Sequence, residues 1–212
     1  MGSIKNLAEE KTRSVFARDE IVILRPVTID DADFYVSIKM QHSLMYRHLI
    51  QIEKYRSDRL LTEDLCQPES FFCIVEEVTK SAPIGYIGIK DTRADIWEIA
   101  IELDGQHIHS GFGRRSIRLF LNEMYRVTGK VEYKATVEAD NLPSQKCLEK
   151  LGADLTGLCN GSILTTNEEK EKFESRNLHL IDDNIRTLAM RLRVDPRKLL
   201  SHLLEYRITC PL

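Results

Sequence analysis

Three β-rich runs follow one another in the first half of the chain. They are "FFCIVEEV" (Phe71–Val78), "IGYIGIKDT" (Ile84–Thr92) and "DIWEIAIEL" (Asp95–Leu103). Short turn-forming segments such as Thr79–Pro83 separate them. Links of that length join antiparallel neighbours, so the runs predict a three-strand meander. After Gly113 the period changes. Ile117, Phe120, Leu121 and Met124 recur at helical spacing, while Arg114, Arg115, Arg118, Asn122 and Glu123 take the opposite face. That pattern predicts an amphipathic helix packed on the meander.

The flanks extend this core. "EIVILRP" (Glu20–Pro26) reads as a strand ended by proline. Thr28 and Asp31 make a capping-box-like helix start, and a second helical stretch spans Ser57–Cys66, after a less clear segment around Leu44–Leu49. Beyond the central helix, "VEYKATVEA" (Val131–Ala139) returns to strand. "PSQKCLEKLG" (Pro143–Gly152) is a short helix with a glycine C-cap, and "ADLTGL" leads into another strand. Met1–Asp19 is charged and aperiodic, and is expected to be a flexible arm.

In the tail, Ile181, Ile185, Leu188, Ala189 and Leu192 form a helical stripe. Asp195 and Pro196 would start another helix carrying Leu199, Leu200, Leu203 and Leu204, with "EYRIT" (Glu205–Thr209) as a last strand. Leu188–Leu203 therefore resembles a helix-turn-helix, although Arg193 stands where the turn usually has glycine. A helical hairpin covering an acceptor cleft, or forming a homodimer face, fits the same residues.

The chain has 212 residues with a net charge of −3, so it has no overall basic signature for nucleic acid. Its five cysteines are widely spaced without a CxxC, which disfavours a disulfide framework or a zinc site. The pair His107/His109 lacks clustered acidic or thiol partners, and no metal is expected. No apolar run reaches membrane-spanning length and no signal peptide is visible, so the expected location is cytoplasmic.

Between the meander and the central helix stands "HIHSGFGRRS" (His107–Ser116). Glycines at a helix start let an anion approach backbone N–H groups that lack intrahelical acceptors, and Arg114 and Arg115 add charge at the rim. No Lys-Ser/Thr follows, so this is not a Walker loop. A third glycine is also missing, as a dinucleotide fold would require.

The order of elements resembles the GNAT superfamily of acetyl-coenzyme A-dependent N-acyltransferases. Their loop reads roughly Arg/Gln-x-x-Gly-x-Gly/Ala. Ser110-Gly111-Phe112-Gly113 matches its glycine half, Ile108 stands at the Arg/Gln position, and His109 replaces a frequent further glycine. A second family motif is matched in "NLPSQKCLEKLGA" by Asn141, Ser144, Lys150 and Gly152, with Leu148 in place of the family tyrosine and Ala153 in place of phenylalanine. The resemblance covers about Ile21 to Leu158 and is nearest to the ribosomal-protein N-terminal acetyltransferase branch.

What the resemblance implies is an α/β fold with a mixed, mainly antiparallel central sheet flanked by helices. The expected layout is an arm at 1–19, a core at 20–165, and a C-terminal helical elaboration with a final strand at 166–212. Acetyl-CoA is the implied cosubstrate, its pyrophosphate held by the backbone of Ser110, Gly111, Phe112, Gly113, Arg114 and Arg115. The pantetheine arm would lie along the backbone of Ile101 and Leu103, where the fourth strand splays from the fifth, and Asn141 and Ser144 would touch the cofactor from the other side. The acceptor would be an amine-bearing small molecule, a protein N-terminus or a lysine.

For proton removal, alternation in "WEIAIEL" puts Glu98, Ala100 and Glu102 on one strand face. Burial and mutual repulsion would raise a carboxylate pKa towards neutrality, which suits a base. Glu98 resembles the family's strand glutamate, with Glu102 second. The competing reading pairs both with Lys or Arg on a neighbouring strand. The family's acid position falls on Leu148, which has no hydroxyl. His42 and His48 lie near the first helices, where such enzymes often shape the acceptor site. The alternative functions are a degenerate coenzyme-binding domain, or a nucleic-acid contact through the tail.

Overall fold

The computed structural model describes residues 5–43, 47, 56–161 and 163–212. The less clear segment around Leu44–Leu49, apart from Arg47, and His48 with it, lies outside the described residues. The chain divides into two compact units, residues 1–133 with 209–212, and residues 134–208.

The first unit holds α1 (Lys5–Glu10), β1 (Ala17–Arg18), β2 (Val22–Pro26), α2 (Ala32–His42), α3 (Ser57–Leu65), β3 (Phe71–Glu77), β4 (Ala82–Ile89), β5 (Trp97–Leu103) and α4 (Phe112–Thr128). Strands β1 to β5 pair in sequence order, each antiparallel to the next. The expected meander is β3–β4–β5, and the fold is mixed α/β with antiparallel pairing.

The continuous apolar run of β3 follows from burial on both faces. Phe71 packs against Phe16 and Phe120 of α4. Its neighbour Phe72, on the opposite face by alternation, joins Tyr35 and Ile38 of α2, Leu61 of α3 and Tyr86 of β4 in one core cluster. The Tyr35 hydroxyl donates to the Asp64 carboxylate, tying α2 to α3. On α4 the predicted stripe Ile117, Phe120, Leu121 and Met124 is buried. Trp97 is a core residue: its ring meets Tyr133 edge-on and its N–H donates to Thr92 O.

The N-terminal arm is a correction. It carries a short helix and strand, and Leu7 and Phe16 are buried. Two isolated apolar residues are too few to show a period, yet each fills a place against the core.

Helix α2 is aimed by an ion-pair network. Arg25 donates to both Asp31 oxygens at 2.8 and 2.6 Å and to Glu76 at 2.7 Å. Asp31 also accepts from the Thr28 N–H and hydroxyl, the expected capping box, here on a 3₁₀ turn that leads into α2.

The second unit contains α5 (Leu142–Lys150), β7 (Asp154–Asn160), α6 (Asn167–Arg176), α7 (Asp183–Leu192) and β8 (His202–Thr209). β6 (Glu132–Val137) begins in the last residues of the first unit. The strand order is β6-β8-β7, with β7 and β8 antiparallel. Helix α6 has no apolar stripe and was not expected; a capping box between Thr166 and Glu169 starts it.

The helix-turn-helix reading fails here. α7 is present, and Arg193 takes the left-handed turn conformation at φ +56° without glycine. The second helix is absent: Pro196–Leu200 is a five-residue 3₁₀ turn, and Leu203 and Leu204 lie in β8. The i, i+4 leucine spacing is met by a turn followed by a strand, because Ser201 ends the turn and donates to buried Glu174 at 2.5 Å. No recognition helix remains for a groove.

The Asp31 carboxyl titrates below its ordinary 3.8, because burial, which opposes ionisation, is outweighed by the Arg25 and Thr28 donors. Its stabilising contribution is therefore complete above the unfolded value and lost as pH falls through the lower folded value. Asp31→Asn should be less stable than the parent near neutrality, and the gap should narrow as pH falls through and below the ordinary carboxylate range. Urea unfolding across that range measures it.

Candidate active site

The loop Ile108–Gly113 opens α4, with Gly111 as its N-cap at φ +90°. That left-handed conformation is open to glycine and strained for most other residues. His109 also turns left-handed, at φ +68°, at the place where the family often has a further glycine. Arg115 N–H donates to Gly111 O at 3.2 Å, so the amides of Phe112, Gly113 and Arg114 precede the first intrahelical bond. A cleft of about 560 Å³ lies here, lined by Ser110, Gly111, Phe112, Arg114 and Arg115, and farther along by Arg118 and Asn122.

The three arginines differ. Arg115 Nε donates to Asp19 Oδ2 at 2.5 Å, which offsets its charge. Asp19 is held below the ordinary carboxylate range: its burial acts upwards, but the N–H groups of Ile21 and Val22 and the Arg115 guanidinium outweigh it. Arg114 and Arg118 are exposed on the cleft. Arg118 is a lining residue that the motif did not single out, though its i+4 spacing from Arg114 could have pointed to it.

The backbone of β5 supplies a second element. Lys90 N–H donates to Glu98 O, and Asp104 N–H donates to Ile84 O. In an antiparallel ladder such residues alternate, so Glu98, Ala100 and Glu102 turn their peptide groups towards β4. Ile101 and Leu103 direct theirs away from it. The strands come close at Gly85, where a Cβ would stand 2.3 Å from Glu102 O and 2.9 Å from Leu103 Cα.

The two glutamates share one face, as expected, with half-buried Ala100 between them packing on the α2–α3 cluster. The expected mutual repulsion gives way to ion pairs. Glu98 is 2.5 Å from Lys90, as the competing reading had it, and Glu102 is 2.9 Å from Lys39 of α2. Glu102 Oε2 is buried and has no hydrogen-bond partner among the described residues.

Two neighbours on α2 also reach the end of β5. His42 Nε2 bonds Leu103 O at 2.9 Å, and Gln41 Oε1 accepts from Gly105 N–H at 2.9 Å. Nothing in the sequence linked residues 41 and 42 to residues 103 and 105.

In the second unit, Asn141 caps α5 by accepting from Ser144 N–H at 3.1 Å. Leu148, at the family's tyrosine position, is buried. Among the described residues no group of three or more His, Cys, Asp or Glu side chains forms a metal site, and no helix is long and apolar enough to cross a membrane.

Residues 22–154 match the family model described as an acetyltransferase (GNAT) domain. The chain belongs to the GNAT acetyltransferase family. No curated protein matches the sequence. Solved structures carry the same fold at low identity. A GNAT-family acetyltransferase from Bacillus anthracis matches with TM-score 0.61 at 13% identity, over 91% of this chain and 97% of its own. A putative ribosomal-protein-serine acetyltransferase from Vibrio cholerae matches with TM-score 0.59 at 11% identity, over 92% and 97%. RimJ of Mycobacterium smegmatis, in complex with CoA-disulfide, matches with TM-score 0.54 at 16% identity, over 89% and 82%. GNAT membership makes this chain an N-acyltransferase, of a family that uses acetyl-CoA. The glycine-opened helix start and the cationic cleft beside it are chemically suited to the coenzyme's diphosphate.

Gly85→Ala is expected to force β4 and β5 apart, because the nearest atom it meets, Glu102 O, is backbone and cannot turn aside. The loss should be about 1–3 kcal/mol, as for other overpacked cores, read from the urea midpoint.

Proposed function

We propose that this chain transfers an acetyl group from acetyl-CoA to a primary amine by direct attack in a ternary complex. The observation that carries the reading is the start of α4, where left-handed Gly111 opens a cleft that Arg114 and Arg118 line. Backbone N–H groups of Ser110–Arg114 would hold the pyrophosphate, with Arg114 and Arg118 at its rim. Arg115, expected to join them, would contribute least, because its N–H bonds Gly111 O and its guanidinium is engaged by Asp19. Ile101 and Leu103 would receive the pantetheine amides on the β5 edge that points away from β4. Asn141 and Ser144 enter the proposal through the family motif alone.

The thioester supplies an activated acyl carbon. The amine must arrive unprotonated, lose a proton as it attacks, and expel the thiolate. Glu98 and Glu102 are the candidate bases. We favour Glu102, because one of its oxygens is engaged by Lys39 while the other is buried without a partner. Glu98 is held by Lys90. No hydroxyl occupies the Leu148 position, so the departing thiolate would be protonated by solvent. Positioning would then supply a large share of the rate.

The acceptor is a primary amine on a small molecule, a protein N-terminus or a lysine. Similar folds include a putative ribosomal-protein-serine acetyltransferase and a spermidine N-acetyltransferase, both from Vibrio cholerae. We propose cytoplasmic action without a nucleic-acid partner, and a homodimer as the oligomer to test by light scattering.

Thiol release from acetyl-CoA, followed over a panel of N-terminal peptides, lysine peptides and polyamines, tests the reading. Amine-dependent release is expected. The Gln variant of the true base should lose about 100-fold or more in kcat, while the other keeps most of it. An absence of release with every amine would remove the proposal.

A further inference from the structure

We infer that the last turn of α2 competes with the coenzyme for the end of β5, and that His42 is the competing residue. The inference rests on the proposed role of Leu103 as a seat for pantetheine. Three side chains from this turn engage the end of β5 and the residues just after it. Lys39 pairs with Glu102, His42 bonds Leu103 O, and Gln41 accepts from Gly105 N–H, each at 2.9 Å.

The middle contact falls on the atom that matters. By ladder alternation the Leu103 carbonyl is directed away from β4, where an amide N–H of pantetheine would donate to it. A carbonyl only accepts, so His42 Nε2 carries the proton in this contact. The imidazole and the coenzyme amide are thus both donors aimed at one oxygen, and the ring occupies one of its approaches.

The turn is built to let go. The buried residues of α2, Ala32, Tyr35, Val36 and Ile38, all lie upstream of the contact, and in the last turn Met40 is only partly buried against the core. His42 and Gln41 are exposed. Rotation of His42 away from β5 therefore opens no core. The same movement would loosen the turn that carries Lys39, so occupation of Leu103 and freedom of the Glu102 carboxylate are linked. In this state α2 holds the reactive end of β5 closed until the coenzyme displaces it.

Calorimetric titration of the full chain with acetyl-CoA tests this, with His42→Ala, His42→Gln and Gln41→Ala beside the parent. Removing a hydrogen bond that must break on binding should tighten Kd about 3- to 10-fold in His42→Ala. Gln41→Ala should move the same way. His42→Gln, whose amide restores a donor, should fall between His42→Ala and the parent. The melting temperature without ligand should stay equal or fall in His42→Ala, opposite in sense to its affinity, whereas a purely structural role would weaken both. An unchanged or weaker Kd in a folded His42→Ala overturns the competition and leaves coenzyme binding standing. Absence of heat with the parent and every variant overturns the functional reading itself, and the competition with it.

Discussion

The register of β5 against β4 is the constraint from which the site follows. An antiparallel ladder couples two alternations, the face a side chain takes and the edge its peptide groups serve. In β5 the residues that bond β4 are also those whose side chains meet the α2 face, so Glu98 and Glu102 give backbone to the sheet and carboxylates to the site. Ile101 and Leu103 do the reverse. A slip of one residue would exchange every assignment at once. Gly85 pins the register where this matters, because its missing Cβ lets β4 approach the backbone of Glu102 and Leu103.

The helices on the two faces reach the site by different means. α2 is aimed by polar contacts: the Arg25–Asp31–Glu76 network at its start, and Tyr35 on Asp64 in its second turn. Partly buried charges are costly to desolvate, and here each Asp31 oxygen is satisfied by more than electrostatic attraction alone, through bidentate Arg25 and the Thr28 cap. α4 is held by apolar packing, with Phe16, Phe71 and Phe120 in mutual ring contact. The Asp19–Arg115 bond then fixes its first turn to the loop before β2. Directional bonds set the angle of one helix, and shape complementarity sets the depth of the other.

What the sequence displayed follows the same distinction. The meander, α4 and the helix-opening glycines were legible, because period and turn chemistry are local. So was the shared face of Glu98 and Glu102. Their lysine partners divided by distance along the chain: Lys90 sits across a short turn and was anticipated as a type of partner, whereas Lys39 of α2 was not. The contacts of Gln41 and His42 join residues some sixty positions apart, and no local pattern encodes them. The tail misled for a related reason. Leu199, Leu200, Leu203 and Leu204 have helical spacing, but Ser201 finds Glu174 across the second unit and Leu203 and Leu204 find β7. A tertiary hydrogen bond and a strand partner outweighed the local pattern. The N-terminal segment hid for want of length, since Leu7 and Phe16 are each buried without repeating.

The charge distribution at the start of α4, the proposed diphosphate site, works against the helix itself. Its first turn has no acidic residue, and Arg114, Arg115 and Arg118 stand near its positive end. Arg114 and Arg115, in the first turn, work against the macrodipole, and the like-charged i, i+4 pair Arg114/Arg118 costs a further ~0.2–0.5 kcal/mol. Helix α6 is built the opposite way, with Glu168 and Glu169 in its first turn and Thr166 as a bonded cap. α6 lacks an apolar stripe and is held by such local terms together with the bonds of buried Glu174 to Ser201 and of buried Lys170 to Asn160. α4 can forgo them because Ile117, Phe120, Leu121 and Met124 are buried, at ~1.5–3 kcal/mol for each large apolar side chain. Asp19 offsets one of the three arginines and leaves the other two to the cleft. An anion bound there would offset the dipole and repulsion terms together. If the coenzyme binds as proposed, its affinity and the local stability of the start of α4 are one free energy seen from two sides.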